Sequence, residues 1–403
     1  MFPNLVIVTK AVARPALFAA LLCLAAAHLA SAQSLTTLYA FAGGVDGGNT
    51  QAGLVQDSSG NLYGTTSYGG GSGEGTIFEI TPAGSKKVLY SFPGGPHGSE
   101  PRAALLSDGT GDLYGTAFSS TKRRDCMEGC GVVFELSAKD KQKVLHKFTG
   151  KPDGANPITG LVRDANGNFF GTTSYGGDSI YGTVFKVTSS GTETVVHSFN
   201  GQPDGMLPGD LVLDAQGNLY GTTYEGGNST SCYGGCGTLF EVASSGTETV
   251  LYNFSGGQDG KYPSAGLIED AQGNLYGTTM EGGAYGFGVV FEVTASATET
   301  VLYSFSGGAD GSYPAMTGSL VRDGQGNLYG TTVGGGTSGF GTIFKVSPTG
   351  TETVLYSFTG GADGASPSSA LIEDAQGNFY GTTQYGGVAS GGAGYGTVFK
   401  LIP

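Results

Sequence analysis

The sequence predicts an all-β fold, a seven-bladed β-propeller in which each blade has four antiparallel strands. Three observations support this prediction: a repeated six-residue phrase, four short strand patterns in each repeat, and an N-terminal strand that the last repeat lacks. The phrase reads Asn-Leu-Tyr-Gly-Thr-Thr at residues 274–279. A period of about 50 residues across a whole chain is typical of a propeller or a solenoid. The third residue of the phrase recurs every 50 to 56 residues, at Tyr63, Tyr114, Phe170, Tyr220, Tyr276, Tyr329 and Tyr380.

Residues 265–314 show the pattern of one repeat. An Asp at the start of the first turn accepts backbone N–H groups, and a Gly at its end supplies a positive φ. Four short strands joined by tight connections form a propeller blade, and the lack of a 3.6-residue period excludes a helical solenoid. The strands are expected at 266–270, 274–279, 288–293 and 299–305, the last with Val301, Tyr303 and Phe305 on one face.

The two ends of the chain favour a closed ring. The seventh repeat stops after a strand at 396–401, one strand short of the others. Residues 37–41, Thr-Leu-Tyr-Ala-Phe, match the missing strand, which reads Val-Leu-Tyr-Ser-Phe at 354–358. We therefore expect the N-terminal strand to become the outer strand of the last blade, which leaves no terminal edge unpaired.

The first 32 residues have the pattern of a secretory signal peptide. Lys10 and Arg14 precede an uncharged, Ala- and Leu-rich run, and Ala30-Ser31-Ala32 forms a small-x-small cleavage site. We expect cleavage near Ala32 and a single propeller domain at 33–403. No later stretch has the ~18 consecutive apolar residues of a membrane span. The predicted location is therefore secreted, extracellular or periplasmic, without a transmembrane segment.

Composition narrows the classes of partner. Residues 33–403 carry 33 acidic and 17 basic side chains, a formal charge of −16. This balance disfavours nucleic acid, whose phosphates must be neutralised by Lys and Arg. The chain has 75 glycines, but they stand at regular places in the repeat, which indicates an ordered β fold. It has no Trp, so aromatic contacts to a ligand would come from Tyr or Phe.

The repeat resembles a known family. The composite pattern Leu-x-x-Asp-x-x-Gly-Asn-Leu-Tyr-Gly-Thr-Thr, then Gly-Thr-Val-Phe, then Thr-Glu-Thr-Val-Leu-Tyr-Ser-Phe is similar to the GloVer tandem repeat. That repeat marks the choice-of-anchor group of extracellular bacterial proteins, and the resemblance covers residues 35–402. It implies export and an extracellular setting, and it implies no catalytic residues. The chain ends at Pro403 without a hydrophobic sorting tail, which favours free secretion or a periplasmic location over covalent anchoring.

Variation in loop length is confined to one predicted face, where function is expected. On that face, the segment between blades repeats an Asp followed by Gly. One hypothesis is a ring of calcium or sugar contacts, because carboxylates are hard oxygen ligands. The alternative, which repetition in nearly every blade favours, is a structural turn in which Asp accepts backbone N–H bonds. The calcium candidates are Asp46, Asp153, Asp204, Asp259, Asp310 and Asp363, with His97 at the same place in one copy.

Four cysteines form two closely spaced pairs in the same variable loop of two repeats. Oxidising compartments favour disulfides, and a zinc site would need four ligands from neighbouring elements. We therefore predict two local disulfides, Cys126–Cys130 and Cys232–Cys236, that hold their loops without being needed for the ring.

Ligand contacts are expected just before the variable loops. Tyr68, Tyr175 and Tyr385 stand there in three repeats, and Glu225 and Glu281 replace them in two others. A pair of carboxylates can act as general acid and base if their surroundings separate their pKa values, so both Glu residues are also catalytic candidates. The only dense basic run includes Arg123 and Arg124; it is a solvated loop or a docking spot for an acidic ligand. His146 and His197 replace the outer-strand Tyr in neighbouring repeats and are interpreted as surface variants.

These features favour a monomeric, non-catalytic extracellular module that binds a polysaccharide through its variable-loop face. No cofactor is expected, with calcium as the alternative. Two other hypotheses stay open: a hydrolase or lyase that uses Glu225 and Glu281 in a central pocket, and a surface scaffold that presents loops to a protein partner.

Overall fold

The computed structural model describes residues 33–122, 126, 129–263, 265–314, 317–387 and 394–403. Contacts divide the chain into two units, Met1–Ala32 and Gln33–Pro403. The first unit lies outside the described residues. The second is built from short β-strands in seven antiparallel sheets, and its described residues contain no α-helix. Accordingly, nothing in the described part of the chain provides a helix of the length and apolarity needed to cross a membrane.

The strands follow the repeat. Blade 1 comprises β2 (Val55–Gln56), β3 (Leu62–Thr66), β4 (Thr76–Ile80) and β5 (Lys86–Ser91); blade 2, β6 (Leu106–Ser107), β7 (Leu113–Ala117), β8 (Val132–Leu136) and β9 (Gln142–Lys147); blade 3, β10 (Val162–Arg163), β11 (Phe169–Thr173), β12 (Thr183–Val187) and β13 (Glu193–Ser198). Blade 4 comprises β14 (Met206–Leu213), β15 (Leu219–Glu225), β16 (Thr238–Val242) and β17 (Glu248–Asn253); blade 5, β18 (Ile268–Glu269), β19 (Leu275–Thr279), β20 (Val289–Val293) and β21 (Glu299–Ser304). Blade 6 comprises β22 (Ser312–Pro314), β23 (Val321–Arg322), β24 (Leu328–Gly334), β25 (Thr342–Val346) and β26 (Glu352–Ser357); blade 7, β27 (Ile372–Glu373), β28 (Phe379–Thr383), β29 (Thr397–Ile402) and β1 (Ser34–Ala40). Two short 3-10 turns, Gly44–Asp46 and Gly95–His97, lie between blades.

The N-terminal strand closes the ring as predicted. Strand β1 pairs antiparallel with β29, from Ser34 opposite Ile402 to Ala40 opposite Thr397, and forms the outer strand of blade 7. The strand begins three residues earlier than the sequence match at 37–41 indicates. The prediction of seven four-stranded blades is confirmed. In blade 6, the inner strand is divided into β22 and β23, both paired with β24.

The core lies between blades and explains the repeated phrase. A Phe on each middle strand is fully buried, as Phe291 is, and it lies over the Gly of its own phrase. A Cβ on Gly277 would stand 2.7 Å from Phe291 Cζ, so only glycine leaves room for the ring. Edge-on contacts then join blades: the ring centroids of Phe254 and Phe291 are 5.2 Å apart. Glycine in the phrase is therefore required by packing between strands of one blade.

A β-bulge on the outer strand changes one predicted face. Val290 pairs with Tyr303, but the next residue, Phe291, pairs with Val301, so Leu302 is the extra residue. Adjacent residues of a strand point to opposite faces, so Val301 and Tyr303 lie on opposite faces. The expectation of a shared face is wrong for this pair. The bulge directs Tyr303 toward the segment between blades, where its hydroxyl donates to Asp310 Oδ2 at 2.9 Å.

Candidate functional sites

The predicted ligand residues occupy equivalent places beside the segments that join blades. Tyr68 forms a bridge with Gly48, Tyr175 with Ala155, Glu281 with Lys261, and Tyr385 with Ala365. The variable loops and the segments between blades thus meet on one face, which is the arrangement that the sequence predicts.

Tyr68 and Tyr385 lie in one cleft, between blades 7 and 1. The cleft has a volume of about 520 Å³, and Tyr395 also lines it. These three side chains are 52%, 43% and 51% exposed, so about half of each is open to a ligand. The floor is backbone, since Gly43, Gly44, Gly47, Gly48 and Gly69 line it. The cleft therefore offers aromatic faces around a floor that presents no side chains.

The polar groups of this cleft are side-chain amides. Asn49 Oδ1 accepts hydrogen bonds from Gln51 Nε2 at 2.8 Å and from Gln384 Nε2 at 3.4 Å. The backbone N–H of Asn49 donates to the carbonyl of Tyr395 at 2.8 Å, which joins the segment between blades to the last variable loop. A few polar groups held in place beside aromatic side chains are typical of ligand sites, where the polar groups fix the orientation of the ligand.

The cleft depends on the packing of Tyr395 against glycine. A Cβ on Gly43 would stand 2.5 Å from Tyr395 Cζ, and Gly43 has a φ of 73°, in the left-handed region. Phe287 over Gly307 and Phe340 over Gly360 repeat this contact in other blades. In these three blades the variable loop packs on the next segment through one aromatic ring, and between blades 7 and 1 that ring belongs to a half-exposed tyrosine.

Tyr175 lies in a second cavity, of about 330 Å³, that Arg102, Phe118, Asp210 and Tyr224 also line. The Arg102 guanidinium lies 4.0 Å from the centroid of the Phe118 ring and 2.6 Å from Glu100 Oε2. Its charge is therefore compensated within the protein. This cavity borders inner-strand residues of several blades, which places it toward the axis of the ring.

Asp210 is a residue of this second cavity that sequence reasoning missed. Burial raises the pKa of its carboxyl, while the backbone N–H groups of Gly160 and Gly318 oppose that rise. Gly160 N donates to Asp210 Oδ1 at 2.6 Å. An alignment of the seven repeats could have revealed Asp210, because no other repeat has a charged residue at this position of the inner strand. The equivalent residues are Gly53, Ala104, Gly160, Gly266, Ser319 and Ala370.

The two glutamates have different surroundings. Glu281 Oε2 lies 2.9 Å from Lys261 Nζ, so an ion pair holds it. Burial raises the pKa of Glu225. Burial raises the pKa of Tyr224, and the charges of Glu281 and Glu225 add to this rise. The Tyr224 ring stacks on the Tyr262 ring, with 4.7 Å between their centroids. The proposed acid–base role of this pair stays a prediction.

Each repeated Asp between blades accepts local hydrogen bonds. Asp310 accepts from the Ser306 backbone N–H at 2.7 Å, the Ser306 hydroxyl at 2.6 Å and the Tyr303 hydroxyl. Such bonds are those of the structural turn and support that interpretation. Calcium at these positions stays a prediction. The same pattern of a backbone N–H and an outer-strand side chain is present at Asp46, Asp153, Asp204, Asp259 and Asp363.

Both predicted disulfides are present. Cys126–Cys130 and Cys232–Cys236 each have a Cα–Cα distance of 5.2 Å. A Cβ on Gly256 would stand 2.6 Å from Cys236 Sγ, so in blade 4 the disulfide occupies the place that an aromatic ring takes in blades 5 and 6. Arg123 and Arg124, the predicted basic docking spot, lie outside the described residues.

The fold and these clefts define a seven-bladed propeller with ligand-sized sites on its variable-loop face. The chain belongs to the Gloeobacter/Verrucomicrobia repeat family, whose model matches residues 28–233, 117–322 and 228–403. This confirms the resemblance found in the repeat. No protein of curated function matches the chain in sequence.

Solved structures show the same architecture. One is the extracellular domain of BT4673 from B. thetaiotaomicron, described as a hybrid two-component system, with a TM-score of 0.58 and 11% identity. A second structure of that domain, described as a one-component system, gives 0.57 and 10%. These matches cover 91% and 92% of this chain but only 39% and 40% of the other chains, so this chain spans well under half of their length. At this identity the likeness concerns the fold alone.

Proposed function

We propose that this protein is an exported, non-catalytic binding module that holds a polysaccharide in the cleft between blades 7 and 1. Export is supported by the two disulfides, since such bonds persist in oxidising compartments. Cleavage near Ala32 is part of the same proposal. The cleft is on the variable-loop face, where a propeller of otherwise repeated blades differs from blade to blade.

One observation carries the choice of ligand: three half-exposed tyrosines surround a backbone floor in a single cleft. A tyrosine presents a flat apolar face and a hydroxyl, which suit the apolar faces and hydroxyl groups of a sugar ring. Burial of apolar faces supplies the affinity, and the amides of Asn49 and Gln384 supply hydrogen bonds that select orientation.

The charge of the protein favours a neutral glycan. Residues 33–403 have a formal net charge of −16, and the described residues that line the cleft include no basic side chain. An anionic polysaccharide would enter against this charge without a compensating Lys or Arg, which costs affinity and slows association. No cofactor is proposed unless glycan binding requires calcium, in which case calcium is the cofactor.

The test is binding of the mature protein, residues 33–403, to an array of neutral and acidic glycans, with calcium and again with EDTA. We expect neutral glycans to bind equally in both conditions. The variant Tyr68→Ala/Tyr385→Ala should weaken binding at least about tenfold, which is a loss of about 1.4 kcal/mol.

The matched control is Tyr233→Ala. This tyrosine is 94% exposed on another variable loop and lines neither cleft, so its loss should leave binding unchanged. Equal loss in both variants, or no glycan bound in either condition, would overturn the proposal and favour a protein partner.

A further inference from the structure

We propose that two divalent transition-metal sites lie at the outer rim, each formed by a His, an Asp and a Glu from neighbouring blades. The first comprises His146 of blade 2, Asp153 of the following segment and Glu193 of blade 3. The second comprises His197 of blade 3, Asp204 and Glu248 of blade 4. In each group the candidate ligand atoms all lie within 4.8 Å of one another. These sites are separate from the proposed glycan cleft and do not depend on it.

The geometry fits a first coordination shell. His146 Nε2 lies 3.1 Å from Asp153 Oδ2, and His197 Nε2 lies 3.2 Å from Asp204 Oδ2. Two ligands bound to zinc at about 2.1 Å with a near-tetrahedral angle lie about 3.4 Å apart. The spacing of each His–Asp pair is therefore close to that of two ligands on one zinc ion. The Glu oxygen, which lies within 4.8 Å of the other two ligand atoms, has to move closer to them to complete the shell.

In both groups one oxygen of the Glu carboxylate has no hydrogen-bond partner. Glu193 Oε1 and Glu248 Oε1 are buried and have no hydrogen-bond partner in the protein. Leaving a buried acceptor unpaired beside a second carboxylate costs free energy, which a bound cation would recover.

The repeat itself shows that this position accepts a cation. In the interface between blades 7 and 1, Lys86 replaces the Glu at the same position of the outer strand. Its Nζ lies 2.8 Å from Asp46 Oδ1, and the side chain is only 3% exposed. One interface thus fills the place with an ammonium group of its own, whereas the two His-bearing interfaces retain both carboxylates.

Histidine distinguishes these two interfaces from the others. Tyr303, Asp310 and Glu352 form the equivalent group in a later interface, where a phenol hydroxyl donates to the Asp. Neutral imidazole is a common ligand of zinc, copper and nickel, whereas a phenol at neutral pH is not. Three N and O ligands with one open position suit zinc. The His and Asp side chains are 13% to 17% exposed, so an ion can reach them from solvent.

The test is calorimetric titration of zinc into the full chain, purified without a His tag and stripped with EDTA. We expect two zinc ions per chain and a rise in the unfolding temperature, because each ion joins two blades. Calcium, which prefers more oxygen ligands, should bind at least about tenfold more weakly than zinc at these sites.

The matched variant is His146→Tyr/His197→Tyr, which installs the residue that five other interfaces contain and should preserve the fold. It should lose both sites, and His146→Tyr alone should lose one. A circular dichroism spectrum and unfolding temperature in EDTA equal to those of the wild type would show that the variant folds. Absence of zinc binding by the wild type, or the same stoichiometry in the double variant, would overturn the proposal.

Discussion

Glu299 and Glu352 should make the stability of this protein fall as pH rises through neutrality. Burial raises the pKa of each carboxyl from 4.5 to about 7, and the charge of Asp259 or Asp310 adds to the rise. Each Oε1 is buried without a hydrogen-bond partner in the protein. A group whose pKa is raised by folding contributes stability that is fully present below its unfolded value, here about pH 4.5. That contribution is lost as pH rises through about 7.

The size of the effect follows from the pKa difference. A change from 4.5 to about 7 is worth at most about 3.4 kcal/mol for each residue. Both side chains are partly exposed, and solvent screening reduces this to about 1 kcal/mol each. Together, their ionisation should lower the free energy of unfolding by about 2 kcal/mol between pH 4.5 and pH 8.

The assay is urea unfolding of the wild type and of Glu299→Gln/Glu352→Gln at pH 4.5 and pH 8. Gln142 already stands at this position in one interface, so the fold accepts the amide. We expect equal stability at pH 4.5 and a variant about 2 kcal/mol more stable at pH 8, with an unchanged denaturant slope. A variant that is no more stable than the wild type at pH 8 would refute this reasoning.

Three further predictions concern packing. Gly277→Ala should lower the free energy of unfolding by about 1–3 kcal/mol, because the new Cβ would stand 2.7 Å from Phe291 Cζ. Gly324→Ala is the control: no atom lies within 4 Å of its Cβ, so in the same urea assay the loss should be less than about 1 kcal/mol. Phe41→Ala should lower the free energy of unfolding by about 3–5 kcal/mol, since the Phe41 side chain is 2% exposed and its ring centroid lies 5.2 Å from that of Phe78 in blade 1. A loss below about 1 kcal/mol would contradict closure of the ring by the N-terminal strand. Cys232→Ala/Cys236→Ala should accelerate limited proteolysis of the 226–237 loop, while the circular dichroism spectrum stays the same. Global unfolding of this variant would contradict a local role for the disulfide.

Sequence reasoning succeeded where a pattern is local and repeated. The period of the phrase predicts seven blades, and the match between 37–41 and 354–358 predicts closure by the N-terminal strand. Both disulfides could be predicted because each pair is separated by only four residues in one loop. In these cases the signal is either a short spacing within one loop or a segment that repeats another segment of the chain, so no knowledge of blade-to-blade geometry is needed.

Part of the candidate sites could also be predicted. Tyr68 and Tyr385 were identified by their place before the variable loops, but nothing in the sequence shows that they share a cleft while Tyr175 lies in another. Tyr395 was missed because it is in a different part of its loop. Asp210 was missed because its exceptional character appears only when the inner strands are aligned.

The amino-acid sequence by itself determined the seven repeats, the strands within each, the closing strand and the two disulfides. Tertiary structure alone decided which residues of different blades meet. His146 was interpreted as a surface variant, and Glu193, 47 positions further along the chain, was not singled out, yet the fold brings their side chains together at the rim. Periodic hydrogen bonding specifies a strand from its own residues, whereas a site between blades depends on how successive sheets twist and pack.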